Sequence, residues 1–117
     1  MKTVSRFIDC LKTTVDFVVG KNAQENHDII DEADPEDLWF HVNGYPSCHV
    51  IGKLPKDIEI DRAALHKIAV QGAVVCKELS GLKKQKNVEI CYTKIKNVTK
   101  GNAVGSVTLT EKKTMVI

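Results

Sequence analysis
With 117 residues, 43% of them hydrophobic and 27% charged, the chain has the size and composition of one globular domain, not of a disordered or fibrous segment. No apolar run approaches the roughly 20 residues of a membrane span, and no signal-peptide core follows Met1, so a cytoplasmic location with no membrane partner is expected. A net charge of +2 does not by itself announce a nucleic-acid binder, but acids crowd residues 21–61 and bases crowd residues 77–113.

In chain order, Val4–Cys10 and Thr14–Val19 are short β-rich runs that predict a hairpin. Gly20-Lys21-Asn22 breaks the second run. Asn22 is a good N-cap, and Glu25 stands three positions on, as a capping box requires, so a helix is predicted over 23–30. Asp34-Pro35-Glu36 separates it from the next strand. In DLWFHV, residues 37–42, Leu38, Phe40 and Val42 face one way, and Asp37, Trp39 and His41 the other. Asn43 to Ser47 is turn chemistry, and Cys48–Lys53 returns as a strand. A five-residue loop sets His41 opposite His49, Trp39 opposite Ile51 and Asp37 opposite Lys53.

Asp61 predicts the cap of a long helix over 62–79, whose stripe of Leu65, Ile68, Ala69, Gly72, Val75, Cys76 and Leu79 has helical spacing. Gly72 inside that stripe suggests close packing, and Gly81 suits the residue after the helix. Strands are expected over 88–95, 106–110 and 114–117. The order predicts one domain, residues 1–117, of α+β class: a mostly antiparallel sheet with two helices packed on one face.

The four cysteines contain no CxxC pair, so they read as small buried residues and not as a zinc or redox site. The His41/His49 pair supplies two converging ligands where structural zinc wants four. Asp37 is roughly 13 Å from His41 along an extended strand, too far to share an ion or orient the ring. No metal, cofactor or catalytic residue is therefore expected. Three uses of the hairpin face remain: packing of Trp39 on Ile51, metal-dependent nuclease chemistry, or a binding surface. Nucleic-acid binding needs aromatic stacking beside positive charge. Trp39 offers the first. Lys21, His41, His49 and Lys53 offer the second, with Lys94, Lys96 and Lys100 on another edge. Val19-Gly20-Lys21-Asn22 at a helix start also suits an anion, though it is no Walker loop.

The phrase FVVGKNAQEN at 17–26, followed by DLWFHV at 37–42, HVI at 49–51 and YTKIKNVTK at 92–100, resembles the NFACT-R domain. That domain is the RNA-binding-type module of the NEMF and RqcH ribosome-quality-control proteins. The resemblance runs from about residue 5 to the C-terminus. It implies an RNA-binding module, not an enzyme, with rRNA, tRNA or the ribosome as expected partner and DNA as a competitor to test. It points to Gly20, Lys21, Asn22, Asn26, Asp37, Trp39, His41, His49, Tyr92 and Asn97. The sequence departs from the family at Ser47, where relatives often carry Gly, and at Thr99, where many carry Arg. The expected RNA-contacting set is Lys21, Asn22, Asp37, Trp39, His41, His49, Lys53, Lys94, Lys96, Asn97 and Lys100. A protein-interaction module docking on quality-control partners is the alternative.

Overall fold
The strand Leu38–Val42 decides the architecture, because it is apolar on both faces and only His41 escapes full burial. Leu38, Phe40 and Val42 belong to one hydrophobic core; Trp39 belongs to a second. Each face therefore needs its own cover. The computed structural model, which describes all 117 residues, provides one on each side.

The elements run β1 (Lys2–Ile8), β2 (Thr13–Gly20), α1 (Ala23–Asp31), β3 (Leu38–Val42), β4 (His49–Lys53), α2 (Arg62–Leu79), β5 (Glu89–Lys94), β6 (Val98–Lys100), β7 (Val107–Leu109) and β8 (Lys113–Val116). Six of the strands form one sheet in the order β1-β2-β4-β3-β5-β8, every neighbour antiparallel. A separate ribbon pairs β6 with β7. The α+β class and antiparallel sheet are as expected, and Trp39 pairs with Ile51 in the anticipated register.

The helices do not share a face. α2 lays Ile68, Ala69, Ala73, Val75 and Cys76 on the core containing Phe17, Phe40 and Val50. α1 sends Ile29 and Ile30 to the opposite side, against Trp39, Ile51 and Cys91. The reason lies in the central strands. Trp39 and Ile51 are too large and apolar to face water, and the nearest uncommitted apolar residues are those of α1 and the β6–β7 ribbon.

Both helix starts are capped as their sequences predict. Asn22 Oδ1 accepts the Glu25 N–H at 2.9 Å, and Asp61 Oδ1 accepts the Ala64 N–H at 2.8 Å. Gly81, at φ +78°, lies just beyond α2 in the left-handed region that favours glycine. Gly72 lets α2 approach the sheet: a Cβ there would overlap the ring of Phe40, which is fully buried between Phe17 and Tyr92. Gly72→Ala should consequently lower stability by about 1–3 kcal/mol, outweighing its gain in helix propensity of about 1 kcal/mol. Urea unfolding measures this, and a stabilised variant would show that α2 can lift without loss.

Candidate nucleic-acid interface
The hairpin cluster is real, but most of it is inside the protein. Trp39 is 2% exposed and Asp37 is also 2% exposed. The Trp39 indole N–H donates to His49 Nδ1 at 3.2 Å. His41 lies parallel to the indole, ring centroids 5.8 Å apart, and meets His49 edge-to-face at 5.0 Å. Burial lowers the His41 pKa. Burial, with help from His41 and His27, pushes that of His49 down to about 3. The rings are neutral at pH 7, so they do not act as cations.

These facts correct the expected roles of Trp39 and Asp37. With its indole enclosed by Ile29, Ile30, Ile51 and Cys91, Trp39 has no free face for a base. Asp37 ties loops together: its carboxylate accepts the Asp34 N–H at 3.0 Å and the Leu54 N–H at 3.0 Å, and it pairs with Lys53 Nζ at 3.3 Å. Lys53 also donates to the Glu32 carbonyl at 3.2 Å. The anticipated Asp37–Lys53 pair thus exists, as an internal brace.

The remaining expected residues divide between two clefts at opposite ends of β3. One, of about 720 Å³, collects Lys21, Asn22, His41 and His49, together with Lys2, Asn26, Ser47 and Ser80. It lies where the start of α1, the end of α2 and the 43–48 loop meet. The other is a groove of about 1120 Å³ between the first half of α2 and the β5–β8 edge, and it collects Lys94, Lys96 and Asn97. Trp39, Asp37, Lys53 and Lys100 line neither.

The groove is the more strongly charged. Arg62, Lys67, Lys94, Lys96, Lys112 and Lys113 line it against a single acid, Glu111. Lys94 and Lys96 are held by Glu36, at 2.7 and 3.1 Å, and both lysines lower its pKa. Lys100 is paired with Asp31 at 2.6 Å. Arg62, Lys67 and Lys113 make no ion pair, so their charge is free for a ligand, whereas the Lys112 ammonium donates to Asn43 Oδ1 at 3.1 Å. Tyr92, half-buried and stacked on Phe40, is the aromatic ring in this wall. Asn97 is occupied within the fold, its Nδ2 donating to Thr93 Oγ1 at 3.0 Å and its carbonyl accepting the Thr110 N–H at 3.0 Å.

Arg62, His66 and Lys67 were not among the expected contacts. Arg62 and His66 stand four residues apart, about one turn of helix, on the flank of the apolar stripe beside Leu65 and Ala69. That spacing was readable. What it faces was not, since the β5–β8 edge is brought beside it only by the sheet order. No group of three or more His, Cys, Asp or Glu side chains is placed to hold a metal ion, and no helix is long and apolar enough to cross a membrane.

An α+β domain with a cation-lined groove defines a binding module for anionic ligands. The chain belongs to the NFACT protein RNA-binding domain family, whose model matches residues 4–111. It is similar to coiled-coil domain-containing protein 25 of Mus musculus, with 34% identity covering 75% of this chain and 42% of the relative. The protein of the same name from Bos taurus is 35% identical, covering 70% and 39%. The chain thus spans about two-fifths of the length of these relatives. The fold is also similar to the C-terminal part of the fibronectin/fibrinogen-binding protein from Streptococcus suis, with a TM-score of 0.74 over 88% of this chain and 41% of that one at 23% identity. That likeness concerns the fold alone.

Proposed function
We propose that residues 1–117 act as one RNA-binding module and that RNA lies along the groove between α2 and the β5–β8 edge. The family supports RNA as the ligand class. The observation that carries the location is the set of unpaired cations, Arg62, Lys67 and Lys113, facing one acid across a continuous groove whose rim also carries Lys112. Phosphate contacts from such side chains release counterions and give affinity without reading sequence. Tyr92, not Trp39, is the ring available for a base. Lys94 and Lys96 contribute by exchanging Glu36 for phosphate, a smaller gain because an ion pair is given up. Lys21, Asn22, His41 and His49 belong to the other cleft, and Lys53, Lys100 and Asn97 support the fold. In this reading the module serves a ribosomal RNA or tRNA partner in the cytoplasm, by binding and not by catalysis.

The test is fluorescence anisotropy of labelled single-stranded RNA, tRNA and duplex DNA at several salt concentrations. Affinity should fall steeply with salt, with a slope of about −0.7 per phosphate contacted on a single strand. The double charge reversal Lys112→Glu/Lys113→Glu should weaken RNA binding at least tenfold and flatten that slope, while Lys53→Ala changes little. Ribosome association that is insensitive to both salt and charge reversal would instead indicate docking on a protein.

A further inference from the structure
The cleft at the other end of β3 has an unusual polarity: its buried side chains have their acceptors used and their donors free. His49, 3% exposed, shows this most clearly. Trp39 Nε1–H donates to its Nδ1, so that nitrogen is bare and the proton of the neutral ring sits on Nε2. Nε2–H has no protein acceptor, and the ring lines the cleft. Asn26, 8% exposed, repeats the pattern. Its Oδ1 accepts the His49 backbone N–H at 3.2 Å, which fixes the amide and leaves its NH₂ without a protein acceptor. Asn26 can sit this close to the sheet because Gly20 has no Cβ; one would collide with the Asn26 side chain and backbone.

The start of α1 adds to the same cleft. Asn22 takes the Glu25 N–H, and Glu25 Oε1 takes the Lys21 N–H at 3.0 Å, but the Ala23 N–H at the first helical position has no acceptor. Lys2 and Lys21 line the rim and make no ion pair, and no Asp or Glu lines the cleft. Glu25 is nearby, but its other oxygen is held by the N-terminal ammonium at 3.1 Å.

We propose that this cleft binds a phosphate group. Three neutral donors fixed by the fold, the His49 Nε2–H, the Asn26 NH₂ and the Ala23 N–H, would meet phosphate oxygens, with Lys2 and Lys21 balancing the charge. A phosphate suits the two buried side chains, His49 and Asn26, better than a cation does, because neither has an acceptor left to offer one. The volume, about 720 Å³, is that of a small-molecule site and takes a mononucleotide. The two clefts share no lining residue, so this site stands independently of the RNA groove. The phosphate has two possible sources, a free mononucleotide or the 5′ end of an RNA chain.

The experiment is NMR titration of the ¹⁵N-labelled protein with inorganic phosphate, adenosine 5′-monophosphate, adenosine and acetate. Phosphate and the monophosphate should give saturable shifts of the Ala23 amide, the Asn26 side-chain amide and the His49 Nε2–H. Adenosine should not, and acetate should be weaker. Lys21→Glu changes an exposed side chain, so the fold should persist, as the spectrum itself reports, and the affinity should drop at least tenfold. Equal shifts with adenosine or acetate, no saturation, or no effect of Lys21→Glu would overturn the proposal. The source is then read in the Lys112→Glu/Lys113→Glu background, where groove binding is weakened. Tighter binding of a 5′-phosphorylated oligonucleotide than of the monophosphate, and loss of it with a 5′-hydroxyl, assigns the site to RNA ends. Equal affinity of oligonucleotide and monophosphate assigns it to the free phosphate.

Discussion

Trp39→Ala should cost about 3–5 kcal/mol of stability. The side chain is the largest in the second core, 2% exposed, and it is enclosed by α1, β4 and β5. Removing it leaves a cavity among Ile29, Ile30, Ile51 and Cys91 that these residues cannot fill. It also strips His49 Nδ1 of its only donor. A domain of this size has about 5–15 kcal/mol in all, so the variant should be near the edge of unfolding. Denaturant titration measures the loss. Trp39→Phe is the useful companion: it keeps most of the packing and removes the indole N–H, at about 1–2 kcal/mol. RNA affinity of the folded Trp39→Phe protein should match the parent. A stable Trp39→Ala protein with weakened RNA binding would restore the indole as a stacking platform.

Stability should also fall steeply with acid, beginning well above the range where carboxylates titrate. His49 is held neutral in the fold, with its pKa pushed down to about 3 from the ordinary 6.5, first by burial and then by His41 and His27. Between those values the unfolded chain binds a proton that the folded chain refuses. Stability therefore rises with pH across this window and is lost as pH falls below about 6.5, by about 1.4 kcal/mol per pH unit for each such ring. His41, lowered by burial, adds to the upper part of the window. Glu25, Asp34 and Glu36 also have lowered pKa values, from their own hydrogen-bonded partners, but their stabilising effect is lost only below about 4.5. The two windows separate in a series of urea midpoints from pH 7.5 to 4.5. A parent protein flat over that range would mean that His49 protonates in place. His49→Gln, which has an amide oxygen to receive the indole N–H and no titratable ring, should lose most of the slope between pH 6.5 and 4.5.

The long helix was legible to the residue, because Asp61, the apolar stripe and Gly81 act within one or two turns of chain. So were the Asn22 N-cap of α1, although Glu25 accepts the Lys21 N–H and not that of Asn22, and the register of the β3–β4 hairpin, where turn length alone sets Trp39 opposite Ile51. The side of the sheet to which α1 packs was not. Alternation tells which residues of β3 share a face, but both faces are apolar, and nothing local says which of them receives which helix. The short β6–β7 ribbon, which helps close the second core, is only half visible: residues 106–110 read as a strand, whereas Val98–Lys100 falls at the end of the YTKIKNVTK phrase with no strand signal of its own.

The candidate site divides the same way. The residue types that favour an anion, and the hairpin that clusters Trp39, His41 and His49, are properties of the sequence. Their roles are not. Trp39, an apparent stacking ring, becomes core because Ile29 and Ile30 arrive from α1 and cover it. Lys53 and Lys100 become braces because Asp37 and Asp31 fold against them. Arg62 and Lys67 join Lys112 and Lys113 in one groove although about fifty residues separate the pairs, since β8 adds to β5 beside the helix. Local rules of capping, alternation and turn length act between neighbours, and the sequence alone determined what they govern: most of the elements and the register of the hairpin. Which charges stay free and which aromatic ring stays bare depend on long-range partners, and the tertiary structure alone decided them.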